Sequence, residues 1–262
     1  MVIGYAMGLV LFFVDFLKDN RIANRVGVSI LGIVWLLETF FMGIRIVSDH
    51  VWPFFSSGQA TIFYAWLLIT VSVLVSYFSR IDYFTFFINL LGFLFVAFDT
   101  FVHNTKMETV PRQGDLLLLH IGIAFLSYIA FAVSSIFSVL YLLEDFALRR
   151  KRFASGPFRR LPPLEGLEVF AFRSVIVGLP LLLIAVVLGS VWYMVLTGRL
   201  LIWDAKPIAS LLLLLLYSVY VYLRVSGRVS DRKAAWLNLL CFFGVIVNFL
   251  VIGSYMSGFH RW

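Results

Sequence analysis

The sequence predicts an all-α polytopic membrane protein, a bundle of eight transmembrane helices with both termini extracytoplasmic. Three observations carry that expectation. Of the 262 residues, 62% are hydrophobic and 13% charged, against about 45–50% and about 25% in soluble domains, which excludes a water-soluble enzyme. The apolar residues gather into eight runs, most near the roughly 20 residues a helix needs to cross a hydrocarbon core of about 30 Å. Lys and Arg are dense in alternate loops and sparse in the others.

The first run lies near residues 2–17 and is short for a span. It is expected to stay as a helix, because no basic segment precedes it and no small-residue cleavage site follows it. The second lies near 27–47, the third near 59–79 and the fourth near 83–103. The fifth runs near 116–144, the sixth near 170–197, the seventh near 206–223 and the eighth near 234–258. Together they fill 1–262 as a single transmembrane domain and leave no room for a soluble one. Of the 21 Lys and Arg residues, 15 lie in Lys18 to Arg25, at Arg80, in Arg149 to Arg173 and in Arg224 to Lys233. The other six are Arg45, Lys106, Arg112, Arg199, Lys206 and Arg261. The richer set marks the cytoplasmic side. The net charge of +7 thus reports membrane orientation, and no nucleic-acid partner is expected.

Little in the spans suggests catalysis or ion pumping. No Gly-rich phosphate loop, CxxC pair, HExxH or Gly-x-Ser-x-Gly elbow is present, so the chain is not read as an enzyme. The single cysteine, Cys241, permits no intrachain disulfide. Asp15, Glu38 and Asp99 are the main acidic groups inside or near the ends of early spans. Glu38 reads either as a neutral, hydrogen-bonded acid in the bundle core or as a relay.

All four histidines fall on the extracytoplasmic side: His50 after span two, His103 ending span four, His120 opening span five, His260 after span eight. Either they are interfacial residues with a polar tip, or some converge as ligands of a metal or haem. Residues 189–210, GSVWYMVLTGRLLIWDAKPIAS, also lie at the outer surface. Trp192 and Trp203 offer indole rings for a flat apolar ligand, Asp204 fixes backbone geometry, and Arg199 and Lys206 suit anionic groups. An ordinary aromatic belt is the other reading.

At these residues the chain resembles a known family. Gly189-x-x-Trp192, Gly198 and Trp203-Asp204-x-Lys206, followed by Tyr217 and Tyr222, are similar to the tryptophan-rich WWD segment of the cytochrome c assembly superfamily (the CcsA and CcmC type). The resemblance implies that the segment 189–210 lies on the outer face and holds haem between two flanking histidines. His120 and His260 match those positions. Within the superfamily the chain most resembles the HemX group, through Val14-Asp15-Phe16-Leu17, Val34-Trp35, Ala65-Trp66, Ile81-Asp82, Asn89-x-x-Gly92-Phe93 and Tyr220-x-Tyr222-x-Arg224. That group is associated with lowering the level of glutamyl-tRNA reductase, which implies a role in tuning haem biosynthesis from a bacterial plasma membrane. A haem-handling component of cytochrome c maturation and a membrane scaffold without haem are the alternatives.

The departures narrow the site. Leu201 stands where a Trp is expected and Pro207 where a Glu is usual. Cytochrome c synthases carry a second-haem histidine at the inner end of span seven, where this chain reads Tyr222-Leu223-Arg224. Asp99 replaces a histidine near the end of span four, with His103 one turn further on the same face. The resemblance therefore implies one outer haem b, with His120 and His260 as iron ligands and His103 as an alternative. Trp192 and Trp203 would lie against the ring, and Arg199, Lys206 or Arg261 near the propionates. Asp204 is expected to hydrogen-bond a ligating imidazole. The basic cytoplasmic loop from Glu144 to Arg173 reads either as a lipid-bound segment or as a docking surface for glutamyl-tRNA reductase. A homodimer stays open.

Overall fold

The computed structural model describes residues 2–18, 20–49, 57–78, 82–102, 115–150, 162–198 and 204–256. Among the described residues every regular element is helical: α1 (Val2–Lys18), α2 (Arg21–Asp49), α3 (Ser57–Phe78), α4 (Asp82–Val102), α5 (Asp115–Arg149), α6 (Leu164–Thr197), α7 (Ala205–Val225) and α8 (Asp231–Val247). Six stretches are long and apolar enough to cross a membrane, in α2, α3, α5, α6, α7 and the α8 region. The 17-residue α1 and the apolar Tyr83–Phe98 stretch of α4 are shorter. Many large apolar side chains face outward, such as Leu211, Leu212 and Leu215 along α7, each at least half exposed. A water-exposed surface would not carry them in such rows; a lipid-facing one does.

Helices begin and end where local chemistry dictates. Asn20 caps α2, its Oδ1 accepting the Ile22 and Ala23 N–H groups at 3.0 and 3.2 Å, which satisfies donors that helix geometry leaves orphaned. Pro163 precedes α6 and Gly198 ends it at φ 70°, a left-handed cap whose N–H reaches the Met194 carbonyl, a conformation that glycine adopts without cost. α6 starts several residues before the apolar run, since Leu164 to Glu168 continues the helix from that proline. The eighth run departs from expectation. α8 ends at Val247 and continues as a π-helical stretch, Asn248–Met256.

The chain divides into two compact units, Met1–Val110 with Phe146–Pro162, and Pro111–Asp145 with Pro163–Trp262. In unit 1, α1 packs on α2 and α4, and α3 packs on α2 and α4, a closed four-helix arrangement. Its core is Tyr5, Phe12, Leu31, Val34, Ala65, Ile69 and Val96. Two W-x-x-x-T segments clasp α2 to α3. The Trp35 indole donates to Thr70 and the Trp66 indole to Thr39, both at 2.8 Å. Each threonine donates in turn to the carbonyl of the tryptophan four residues earlier, and the two rings stack at 5.8 Å. Apolar burial does not drive helices together in lipid, so side-chain bonds of this kind, about 0.6–2 kcal/mol each, carry much of the specificity.

Unit 2 is organised on α5, which is held to every other helix of the unit. Phe131 stacks on Tyr217 of α7 at 3.9 Å. Asn238 of α8 donates to Ser134 and Ser138 at 2.6 and 2.8 Å. At the start of the π-helical stretch, Asn248 donates to Tyr128 of α5 and Ser210 of α7.

Candidate functional site

The α5–α6 seam is a ladder of side-chain donors on backbone carbonyls. Ser134 donates to the Ala171 carbonyl at 2.7 Å and Ser127 to the Gly178 carbonyl at 2.9 Å. His120 Nδ1 lies 2.6 Å from the Ala185 carbonyl. The rungs are seven residues apart on both helices, rising along α5 and falling along α6, as antiparallel helices packed at a heptad period require. Ala171, Gly178 and Ala185 are small, and small residues let backbones approach closely enough for a side chain to reach a carbonyl.

That ladder assigns the His120 tautomer. A carbonyl oxygen only accepts, so Nδ1 carries the hydrogen, and in the neutral ring Nε2 is left with its lone pair. An imidazole whose second nitrogen is tied to a carbonyl is the usual form of a metal-ligating histidine. The ring lies in a slot made by Gly189, one turn beyond Ala185 on the same face. A Cβ on Gly189 would stand 2.6 Å from His120 Cε1 and 2.9 Å from Nδ1, closer than side chains tolerate.

The structure gathers four of the sequence-derived site residues at this end of unit 2, where α5 and α7 begin and α6 ends. His120 is joined there by Trp192, half-buried on α6 near the Gly198 cap. Asp204 caps α7, its Oδ1 accepting the Ala205 N–H at 2.9 Å. Lys206, half-buried in the first turn of α7, lies within electrostatic reach of the His120 ring. The Nδ1 partner of His120 is the Ala185 carbonyl, and His260, the other imidazole that Asp204 is expected to serve, lies outside the described residues. His50, His103, Arg199, Trp203, His260 and Arg261 lie outside the described residues.

Sequence reasoning missed Ala185, the slot at Gly189 and the two serine rungs. A signal was present: polar residues at 120, 127 and 134 facing small ones at 171, 178 and 185.

Among the described residues no three His, Cys, Asp or Glu side chains converge to hold a metal ion. A single presented imidazole instead suits a metal that arrives with its own in-plane donors, as haem iron does. The other end of unit 2 is closed by charge pairs. Arg224 Nε donates to Glu168 Oε1 at 2.7 Å, and Nη1 lies 2.8 Å from Asp231 Oδ1. Arg232 and Asp145 add a looser pair at 3.6 Å.

Comparison with known proteins places these features in a family. The family model described as cytochrome C assembly protein matches residues 57–260. Protein HemX of Bacillus subtilis (strain 168) is 34% identical over 263 residues, covering 99% of this chain and 94% of its own length. Protein HemX of Brevibacillus brevis is 36% identical over 260 residues, covering 98% and 94%. The cytochrome c biogenesis protein CcsA of Guillardia theta is 24% identical over 243 residues, covering 86% and 81%.

Proposed function

The chain is a multi-pass membrane protein that belongs to the cytochrome c assembly family and, within it, to the HemX group, and on that premise we propose that it holds haem b at the extracytoplasmic face of a bacterial plasma membrane and tunes haem biosynthesis. The observation that carries this reading is the His120 imidazole, its Nδ1 tied to the Ala185 carbonyl and its ring set against Gly189, which leaves Nε2 as the lone-pair nitrogen. His120 and His260 would hold the haem iron, with His103 as the alternative to either. Trp192 and Trp203 flank the ring, Arg199 and Lys206 serve the propionates, and Asp204 holds the start of α7 in place. Two imidazole ligands would suit keeping haem or passing electrons over activating oxygen.

In this reading all eight helices span, with both termini outside, as the distribution of Lys and Arg requires. The basic loop from Glu144 to Arg173 then faces the cytoplasm, where it meets anionic lipid or glutamyl-tRNA reductase. Haem occupancy at the outer face is coupled to the level of that enzyme. Reductase abundance in cells lacking the chain tests the coupling. It should rise in the null strain, fall on complementation with the wild type, and stay high with His120→Ala. An unchanged level in the null strain would refute the regulatory half of the reading.

A further inference from the structure

A column of buried polar groups runs through unit 1. Near the α3–α4 connection, Ser76 Oγ and Thr85 Oγ1 share a hydrogen bond of 2.7 Å. One turn along α4, Asn89 Nδ2 donates to Ser72 Oγ at 2.6 Å and to the Thr85 carbonyl at 2.7 Å. Its Oδ1 is buried with no hydrogen-bond partner among the described residues. One turn further lies Gly92, and the Tyr5 hydroxyl of α1 occupies the space a side chain there would fill. That hydroxyl also lacks a partner among the described residues.

Tyr5 packs with Leu31 and Val34 of α2, and Glu38 follows Val34 by four residues on the same helix face. Glu38 is 3% exposed, its Oε2 has no hydrogen-bond partner among the described residues, and it lies within electrostatic reach of Tyr5. Three successive unsatisfied polar groups in one column are costly in hydrocarbon. Buried groups of this kind are ordinarily satisfied by ordered water.

We propose that unit 1 contains a hydrated file running from Ser76 and Thr85 past Asn89 and Tyr5 to Glu38, and that it carries protons between solvent and the Glu38 carboxyl. Each water of the file accepts one proton and passes one on. An O–H bond forms at Glu38 Oε2 as a solvent hydronium at the far end gives up its proton, and the reverse sequence releases it. Unit 1 thus has a proton-exchanging site built from none of the residues assigned to haem.

Infrared spectroscopy of the full-length protein in liposomes tests this. A carboxylic-acid C=O band present in the wild type and absent in Glu38→Gln reports the group, and its downshift on transfer to D2O reports exchange. The band should shift much faster than the core amides exchange, and Asn89→Leu should slow it to the core-amide rate while leaving the band in place. Should Asn89→Leu not fold, Tyr5→Phe removes only the central hydroxyl and should slow exchange likewise. No band lost in Glu38→Gln, a wild-type band as slow as the core amides, or an unchanged rate in the folded file variant would each overturn the proposal.

Discussion

Gly189→Ala is expected to weaken haem binding by about 100-fold while leaving a folded helical protein. The added Cβ would stand 2.6 Å from His120 Cε1, so the imidazole must swing away and the 2.6 Å bond to the Ala185 carbonyl must break. Overpacking of this kind costs about 1–3 kcal/mol, and the lost hydrogen bond about 1 kcal/mol. Part of that falls on overall stability. The rest removes the presentation of Nε2, and a loss of about 2.7 kcal/mol there is about 100-fold in affinity. Hemin titration followed at the Soret band reads this directly. Wild-type affinity in Gly189→Ala would mean that the slot does not position the ligand.

Arg224→Ala is expected to produce the largest loss of stability of any single substitution at the other end of unit 2. One guanidinium joins the start of α6 through Glu168, the end of α7 itself and the start of α8 through Asp231. The side chains of Arg224 and Glu168 are 20% and 18% exposed, between an exposed pair worth about 0–1 kcal/mol and a buried pair whose rupture costs about 3–5 kcal/mol. A loss of about 2 kcal/mol follows, seen as a Tm about 5 °C lower in detergent. Arg224→Lys keeps the charge but not the planar fork, so it should recover only part of that. A Tm unchanged in Arg224→Ala would show that the pairs contribute nothing to holding the three helices.

Much of the fold is legible in the sequence because the bilayer imposes a length on apolar runs. All eight runs form helices, although α2 and α6 begin six residues before their apolar runs, at Arg21 and Leu164, where Asn20 and Pro163 set the start by local chemistry, as Gly198 sets the end of α6. Hydropathy does not read hydrogen-bond register. The switch from α to π helix at Asn248 turns on which carbonyl each N–H selects, and the Asn248 side chain reaches Tyr128, 120 residues earlier.

The site shows the same division. His120 and Asp204 are visible as residue types in a suggestive place, whereas the group that orients His120 is a main-chain carbonyl with no side-chain signature. Asp204, expected beside an imidazole, spends one oxygen on the Ala205 N–H. Its placement before a helix was the local clue to that role. Glu38, read as a hydrogen-bonded core acid or a relay, is buried as expected, and its Oε2 has no hydrogen-bond partner among the described residues.

The central claim is that His120 ligates haem iron through Nε2. It is tested most directly by absorption spectra of the detergent-purified protein, oxidised and dithionite-reduced, beside His120→Ala with and without added imidazole. The account predicts a Soret band with sharp reduced α and β bands in the wild type, their loss in His120→Ala, and their partial return when imidazole occupies the space the side chain left. A wild-type protein that is colourless and takes up no added hemin, or a His120→Ala variant with an unaltered spectrum, would contradict it.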